Sequence, residues 1–290
     1  YNTTTSSILK FEIKPKYQDW RGTTGTNTPA RVSVSGDGRF VLIGSNDDKI
    51  RIYDYDSGED GHLWQNDFGK DVYDLALSKD GNYFAAVTQS GSSGEVFLYK
   101  TNYTDDSASP IEVWNHEWGQ NIDRVDISGD GSYVVAAYNN QVKLFNKSSA
   151  TPVFTIDTAI FGDVRDVAIS ANGKYFAICA YKGVYFFSTS SSTPLWSDTS
   201  DDDHCRSDNY GDNIVISDDG KYVALTTDYI NDLENRYVFA YNATTGIKIL
   251  SHADDDAGSI DISADGKYIV AGRWGSLFVY ELSTDTDTYS

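Results

Sequence analysis

The chain reads as an all-β fold built from six copies of one four-stranded antiparallel unit. Three observations lead there. A hairpin signature, Ser-x-Asp/Asn-Gly between two apolar runs, occurs six times, as in VSVSGDGRFVLIGS and IDISADGKYIVAGR. Its glycines, Gly38, Gly81, Gly131, Gly173, Gly220 and Gly266, stand 43, 50, 42, 47 and 46 residues apart. Tyr and Phe number 21 and 13 in 290 residues, which favours strands over helices. A period of roughly 40 to 50 residues with several strands per unit marks a propeller blade. The expected fold is therefore a six-bladed β-propeller, one domain over residues 1–290, with Ser/Thr-rich flexible ends at 1–7 and 284–290.

Each element of the unit has its own signal. In the first strand the apolar positions fall one and three residues before the serine, as in Val125 and Ile127 or Val167 and Ile169, which gives one packed face. In the turn, the Asp or Asn side chain bonds the backbone and the glycine supplies a positive φ. The second strand runs to Gly44, Val87, Ala137, Cys179, Thr226 or Gly272. The third ends in an aromatic: Tyr53, Tyr99, Phe145, Phe187, Tyr241 or Tyr280. The fourth carries a large apolar residue, as in HLWQND, IEVWNHEW, TPVFTI, TPLWSD and IKILSH. After Gly266 only 24 residues remain, enough for KYIVAG and SLFVYEL but not for a fourth strand. The orphan run ILKFEIK at residues 8–14 is expected to complete the last blade. It would tie the termini together and remove an open sheet edge.

Charge narrows the partners. The formal net charge is −20 and the pI about 4.3, a surface that repels phosphate backbones and anionic headgroups. Nucleic acid is excluded as a partner on that ground. With no long apolar run, direct membrane insertion is excluded too. The chain has no Met, even at position 1, and no basic-then-apolar start. The expectation is a mature or trimmed chain, such as removal of a signal peptide or an imposed boundary would leave.

The pattern VAIS-x-(D/N)GKY(I/F), followed by STPLW at 192–196, resembles the WD-repeat-like propellers of secreted archaeal proteins and, more distantly, quinoprotein-type propellers. The resemblance covers essentially the whole chain. It implies a binding or surface-exposed scaffold, since that family carries no general activity. Two departures matter. The Gly-His pair of WD repeats is absent and the Trp-Asp pair survives only as Tyr53-Asp54. The tryptophan-docking signature of quinoprotein propellers is also missing, which argues against a quinone cofactor.

Catalytic motifs do not emerge. His62, His116, His204 and His252 fall in or just after fourth strands of different units, with only His204-Cys205 adjacent. No nucleophile elbow, P-loop or zincin motif occurs. Two acidic stretches are calcium candidates: Asp201, Asp202, Asp203, Asp208 and Asp212, and the run DYDSGEDG at 54–61. The competing reading for both is a solvated acidic loop. Arg31, Asp74, Arg124 and Asp166 stand four residues before successive serines with alternating sign, so ion pairing between neighbouring blades is favoured over ligand binding.

Phe68, Trp118, Phe161 and Tyr210, each before a glycine, recur and are assigned to packing between blades. Trp274 and Tyr229 do not recur and are interface candidates. Sequons occur at Asn2, Asn102, Asn146 and Asn242, the last three after third strands at the outer edge. Cys179 and Cys205 are expected to pair, which implies an oxidising compartment. Together these readings point to a non-enzymatic extracellular or cell-surface scaffold for a protein partner or for self-assembly. The alternative is a hydrolase or lyase acting on a polysaccharide or ester at the channel mouth.

Overall fold

In the computed structural model, the described residues are 29–45, 47–55, 62–104, 107–158, 161–200, 205, 214–227, 237–253, 258–273 and 276–282. Among them the chain is all-β and antiparallel. The first sheet holds β1 (Pro29–Val34), β2 (Phe40–Ser45), β3 (Lys49–Asp54) and β4 (Trp64–Asp67). The second holds β5 (Asp71–Leu77), β6 (Tyr83–Ser90), β7 (Ser93–Lys100) and β10 (Ile111–Glu117), with a small hairpin of β8 (Tyr103–Thr104) and β9 (Ser107–Ala108) inserted before β10. That insertion accounts for the longest repeat spacing. The third sheet is β11 (Arg124–Ile127), β12 (Tyr133–Tyr138), β13 (Gln141–Asn146) and β14 (Phe154–Asp157). The fourth is β15 (Val164–Ile169), β16 (Tyr175–Ala180), β17 (Gly183–Ser188) and β18 (Trp196–Asp198). The fifth is β19 (Ile214–Ile216), β20 (Tyr222–Thr226), β21 (Tyr237–Asn242) and β22 (Lys248–Ala253). The sixth has three described strands, β23 (Ser259–Ile262), β24 (Tyr268–Arg273) and β25 (Ser276–Glu281).

The repeated hairpin works as its residue types require. In the third sheet the Ser128 hydroxyl donates to Asp130 Oδ1 (3.0 Å), that oxygen accepts the Ser132 N–H (2.9 Å), and Ser128 Oγ accepts the Tyr133 N–H (3.0 Å). Ser35, Ser78, Ser170, Ser217 and Ser263 repeat the arrangement. The turn glycine has a second duty. Gly131 takes φ 69°, and a Cβ there would lie 2.5 Å from the Tyr83 ring of the preceding sheet. Tyr83, Tyr133, Tyr175 and Tyr222, each opening a second strand, thus seat the next sheet's turn.

Packing follows the same rule. The apolar residues one and three before each serine bury against the preceding sheet: Leu75 and Leu77 on Phe40, Leu42, Ile50 and Ile52, and Val167 and Ile169 on Val135, Val142 and Leu144. Five clusters of this kind join neighbouring sheets among the described residues. The aromatics that end third strands are buried in the first five sheets. Phe68, Trp118 and Phe161 pack at seams as expected, Phe161 stacking on Tyr185 with centroids 4.0 Å apart; Tyr210 lies outside the described residues. The first sheet differs. Val32 and Val34, at the equivalent positions of the first sheet, are 63% and 50% exposed, and Gly38 has open space where its counterparts meet an aromatic ring. The closing strand expected at residues 8–14 lies outside the described residues.

The first strands cannot bond one another as a sheet, so their free N–H groups need acceptors. Acidic side chains supply them. Asp74 accepts its neighbour Leu75 N–H on Oδ1 (3.0 Å) and the Val125 N–H of the next sheet on Oδ2 (2.9 Å). Asp126 does the same for Ile127 and Ile169, and Asp166 for Val167 and Ile214. The expected alternating ion pairs form as well: Arg31 Nε lies 3.3 Å from Asp74 Oδ1, and Arg124 Nε lies 3.8 Å from Asp166 Oδ1. Asp74→Ala strands two buried N–H groups and leaves Arg31 without this partner. We expect it to cost about 3 kcal/mol, read as a fall in thermal and denaturant midpoints.

Candidate functional site at the channel mouth

Residues from the first strands of all six sheets line one cavity of about 420 Å³. One end is closed by the hairpin turns, which bond in series: Gly36 N–H to Lys79 O, Asp80 N–H to Gly129 O, Gly129 N–H to Ala171 O, Asn172 N–H to Asp218 O, and Asp218 N–H to Ala264 O. The residue after the serine is small in four units. In the second and fifth it is Lys79 and Asp218, and these two form an ion pair. The pair joins sheets three places apart, so it spans this end of the cavity.

The other end is built differently. The residue five before the serine lies where the first strand begins, and the ladder shifts there. Register breaks between Pro29 and Arg31, Val72 and Asp74, and Val164 and Asp166 leave Ala30, Tyr73 and Arg165 as bulged residues. Bulges re-aim side chains at sheet rims. At the same place in the third unit stands Asp123, directly before β11. Ile122 beside it is fully buried, while Asn121 and Asp123 keep partial exposure.

Arg124 fixes the local frame. Its Nε donates to Arg165 O (2.8 Å) and its Nη1 to Asp123 O (2.7 Å). The Asp123 and Arg165 side chains each stay 34% exposed, while Asp123 Oδ1, Asn121 Oδ1 and Arg165 Nε are buried without a hydrogen-bond partner. Burial pushes the Asp123 carboxyl up, against the opposing pull of Arg124, Arg165 and Arg31. The mouth therefore combines a carboxyl, an amide and guanidinium groups at the strand-entry end, one residue outside a channel whose wall carries Asp74, Asp126 and Asp166 among apolar side chains.

The positions singled out in the sequence are distributed elsewhere. Cys179 and Cys205 form the disulfide, both buried, with Cα atoms 5.5 Å apart. Cys179 pairs in register with Asp166, which places the bridge toward the open mouth. Asn146 and Asn242 end third strands, where their Oδ1 atoms accept turn N–H groups of Ser148 and of Thr244 and Thr245. Asn102 adopts φ 48° after β7. In the second acidic stretch, Asp54 is buried and held by two Arg39 nitrogens at 2.8 and 3.0 Å, so it is committed to folding. His116 accepts from Lys143 Nζ at 3.1 Å, and His62 and His252 lie near Tyr53 and Tyr280. Trp274, Tyr229, Asn2, His204 and Asp201, Asp202, Asp203, Asp208 and Asp212 lie outside the described residues. Tyr73, Asn121, Asp123 and Arg165 escaped the sequence reading. Their signal was a repeat position whose residue type changes from unit to unit.

The raised Asp123 carboxyl sets a pH dependence. The folded chain keeps this proton to higher pH than the unfolded chain, so ionisation opposes folding above the folded pKa, and the cost vanishes below the unfolded value. Asp123→Asn should therefore raise the melting temperature at pH 7 and leave it unchanged near pH ~3. Melting curves at both pH values check this; a variant less stable at pH 7 would show that the arginines outweigh burial.

Comparison with known proteins agrees with this architecture. The family described as WD domain, G-beta repeat matches residues 22–54, the first unit up to Tyr53-Asp54. No curated protein matches the chain. The β-propeller domain of Cps50 (Swd1) from Myceliophteria thermophila aligns with a TM-score of 0.62 at 11% identity, covering 87% of this chain and 82% of that one. Hydrazine synthase from Kuenenia stuttgartiensis aligns with a TM-score of 0.66 at 17% identity, covering 92% and 80%. At these identities the likeness concerns the fold alone. The chain has a WD-repeat-like β-propeller fold.

Proposed function

We propose that this propeller is a non-enzymatic scaffold outside the cell or at its surface, holding a protein partner or further copies of itself. The observation that carries the reading is a row of outward apolar side chains on the outer strands. Ile111, Val153, Leu195 and Ile247 occupy the entry to the fourth strand in four consecutive sheets and are 57%, 45%, 56% and 62% exposed. Val113 and Ile249 reinforce the row in β10 and β22. Outer strands carry unpaired backbone groups, and apolar residues beside such an edge suit strand addition by another chain. The Cys179–Cys205 bridge supports an oxidising compartment, and the sequons after outer third strands suit a glycosylated rim. Within this reading six blades form a closed ring, with residues 8–14 as the missing outer strand of the sixth.

A second reading, a hydrolase or lyase acting on a polysaccharide or ester, draws on the position of the Asp123 carboxyl at the channel mouth, 3.9 Å from Arg124 Nη1. Light scattering and cross-linking in native extract separate the two. Assembly that Ile111→Lys with Ile247→Lys dissolves, at unchanged melting temperature, is the expected outcome. A monomer that turns over a polysaccharide or ester overturns the scaffold. Two further measurements test its parts. Removing residues 1–15 should lower the melting temperature sharply; a truncated chain that melts like the full one overturns the closure. Free thiols at Cys179 and Cys205 in native material would remove the support for an oxidising compartment.

A further inference from the structure

The open mouth carries features that neither the repeat nor the scaffold reading uses. Around it stand two half-exposed tyrosines. Tyr73 is the bulged residue of β5, 39% exposed. Tyr181, 40% exposed, caps the turn after β16, where its N–H donates to Asp163 O at 2.9 Å and its Cβ leans on Gly162. In the units between and beside them come Asp123, Arg165 and Asn121. Tyrosine rings offer flat faces with polarised edges to the C–H face of a pyranose. Carboxyl, amide and guanidinium groups are planar, and each can hold two adjacent hydroxyls at once.

Hydroxyls both donate and accept. They suit a rim where an acceptor pair, Asn121 Oδ1 and Asp123 Oδ1, and a donor, Arg165 Nε, lack partners. Leaving such groups unpaired costs stability, and a ligand that draws them outward repairs it. The channel of about 420 Å³ begins one residue further in, at Asp74 and Asp166, so a ligand held by the rim would sit over its opening. A net charge of −20 disfavours an anionic ligand.

We infer that the open mouth of the channel binds a neutral saccharide, one ring stacked on Tyr73 and its hydroxyls bonded to Asp123, Arg165 and Asn121. This site stands whether or not the chain assembles as proposed above.

The test uses the whole chain. An array of neutral and uronate-containing oligosaccharides is followed by calorimetry on the strongest neutral hit. Tyr73→Ala and Arg165→Gln should each weaken binding about tenfold or more, the equivalent of one lost charged hydrogen bond or stacking face. Melting temperatures should stay near that of the parent chain. Saturation-transfer NMR should show sugar C–H protons close to an aromatic ring in the parent chain and not in Tyr73→Ala. Should Tyr73→Ala unfold, Tyr73→Phe keeps the test open, since it must retain stacking and most of the affinity. Absence of binding to any neutral oligosaccharide at millimolar concentration overturns the inference. So do equal affinity in the variants, binding of uronates alone, or binding of acidic peptides in their place.

Discussion

A strand that faces a central channel has nowhere to put its outward N–H groups. That constraint organises this molecule. Side by side around the cavity, the first strands belong to separate sheets and do not pair with one another, yet a buried N–H without an acceptor costs more than most side-chain contacts return. Asp74, Asp126 and Asp166 solve it by giving each carboxylate two donors, one from its own strand and one from the next. Ser33 supplies only the second kind of bond, its hydroxyl accepting the Leu77 N–H of the next sheet at 3.0 Å. Such charge-assisted bonds lock the angle between neighbouring sheets. The apolar clusters then fill seams whose geometry is already set.

This division of labour explains what could be read from the sequence. Hairpins, strand order and seam packing were legible because each depends on residue types that recur: Ser78, Asp80, Gly81 and Tyr83 in one unit have counterparts in the others. The disulfide was legible because Cys179 ends a recognisable strand. The inserted hairpin of the second sheet was visible only as an irregular spacing. Its Tyr103 stacks on Phe40 with ring centroids 3.6 Å apart, a contact between two sheets that no local pattern announces.

The candidate site was the least legible part. Arg31, Asp74, Arg124 and Asp166 drew notice for their alternating signs, and their pairing proved structural. One residue upstream, Tyr73, Asp123 and Arg165 share a position and no chemistry, so a search for recurrence passes over them. Register breaks bring Tyr73 and Arg165 to prominence, and a bulge is a property of backbone pairing that the side-chain pattern does not encode.

The two ends of the cavity show where a repeat fold leaves room for function. At the turn end the same positions must close a series of backbone bonds, so small residues dominate, and the exceptions, Lys79 and Asp218, neutralise each other. At the strand-entry end no backbone bond fixes the side chain, because the bulge has already removed the residue from the ladder. Substitution at the bulged Tyr73 and Arg165 breaks no ladder pair. Charged and aromatic groups can collect on that rim without weakening any seam, while the buried carboxylates one residue further in hold the sheets. The rim at Tyr73, Asp123 and Arg165 is thus the part of the channel least constrained by the fold and most open to selection for a ligand.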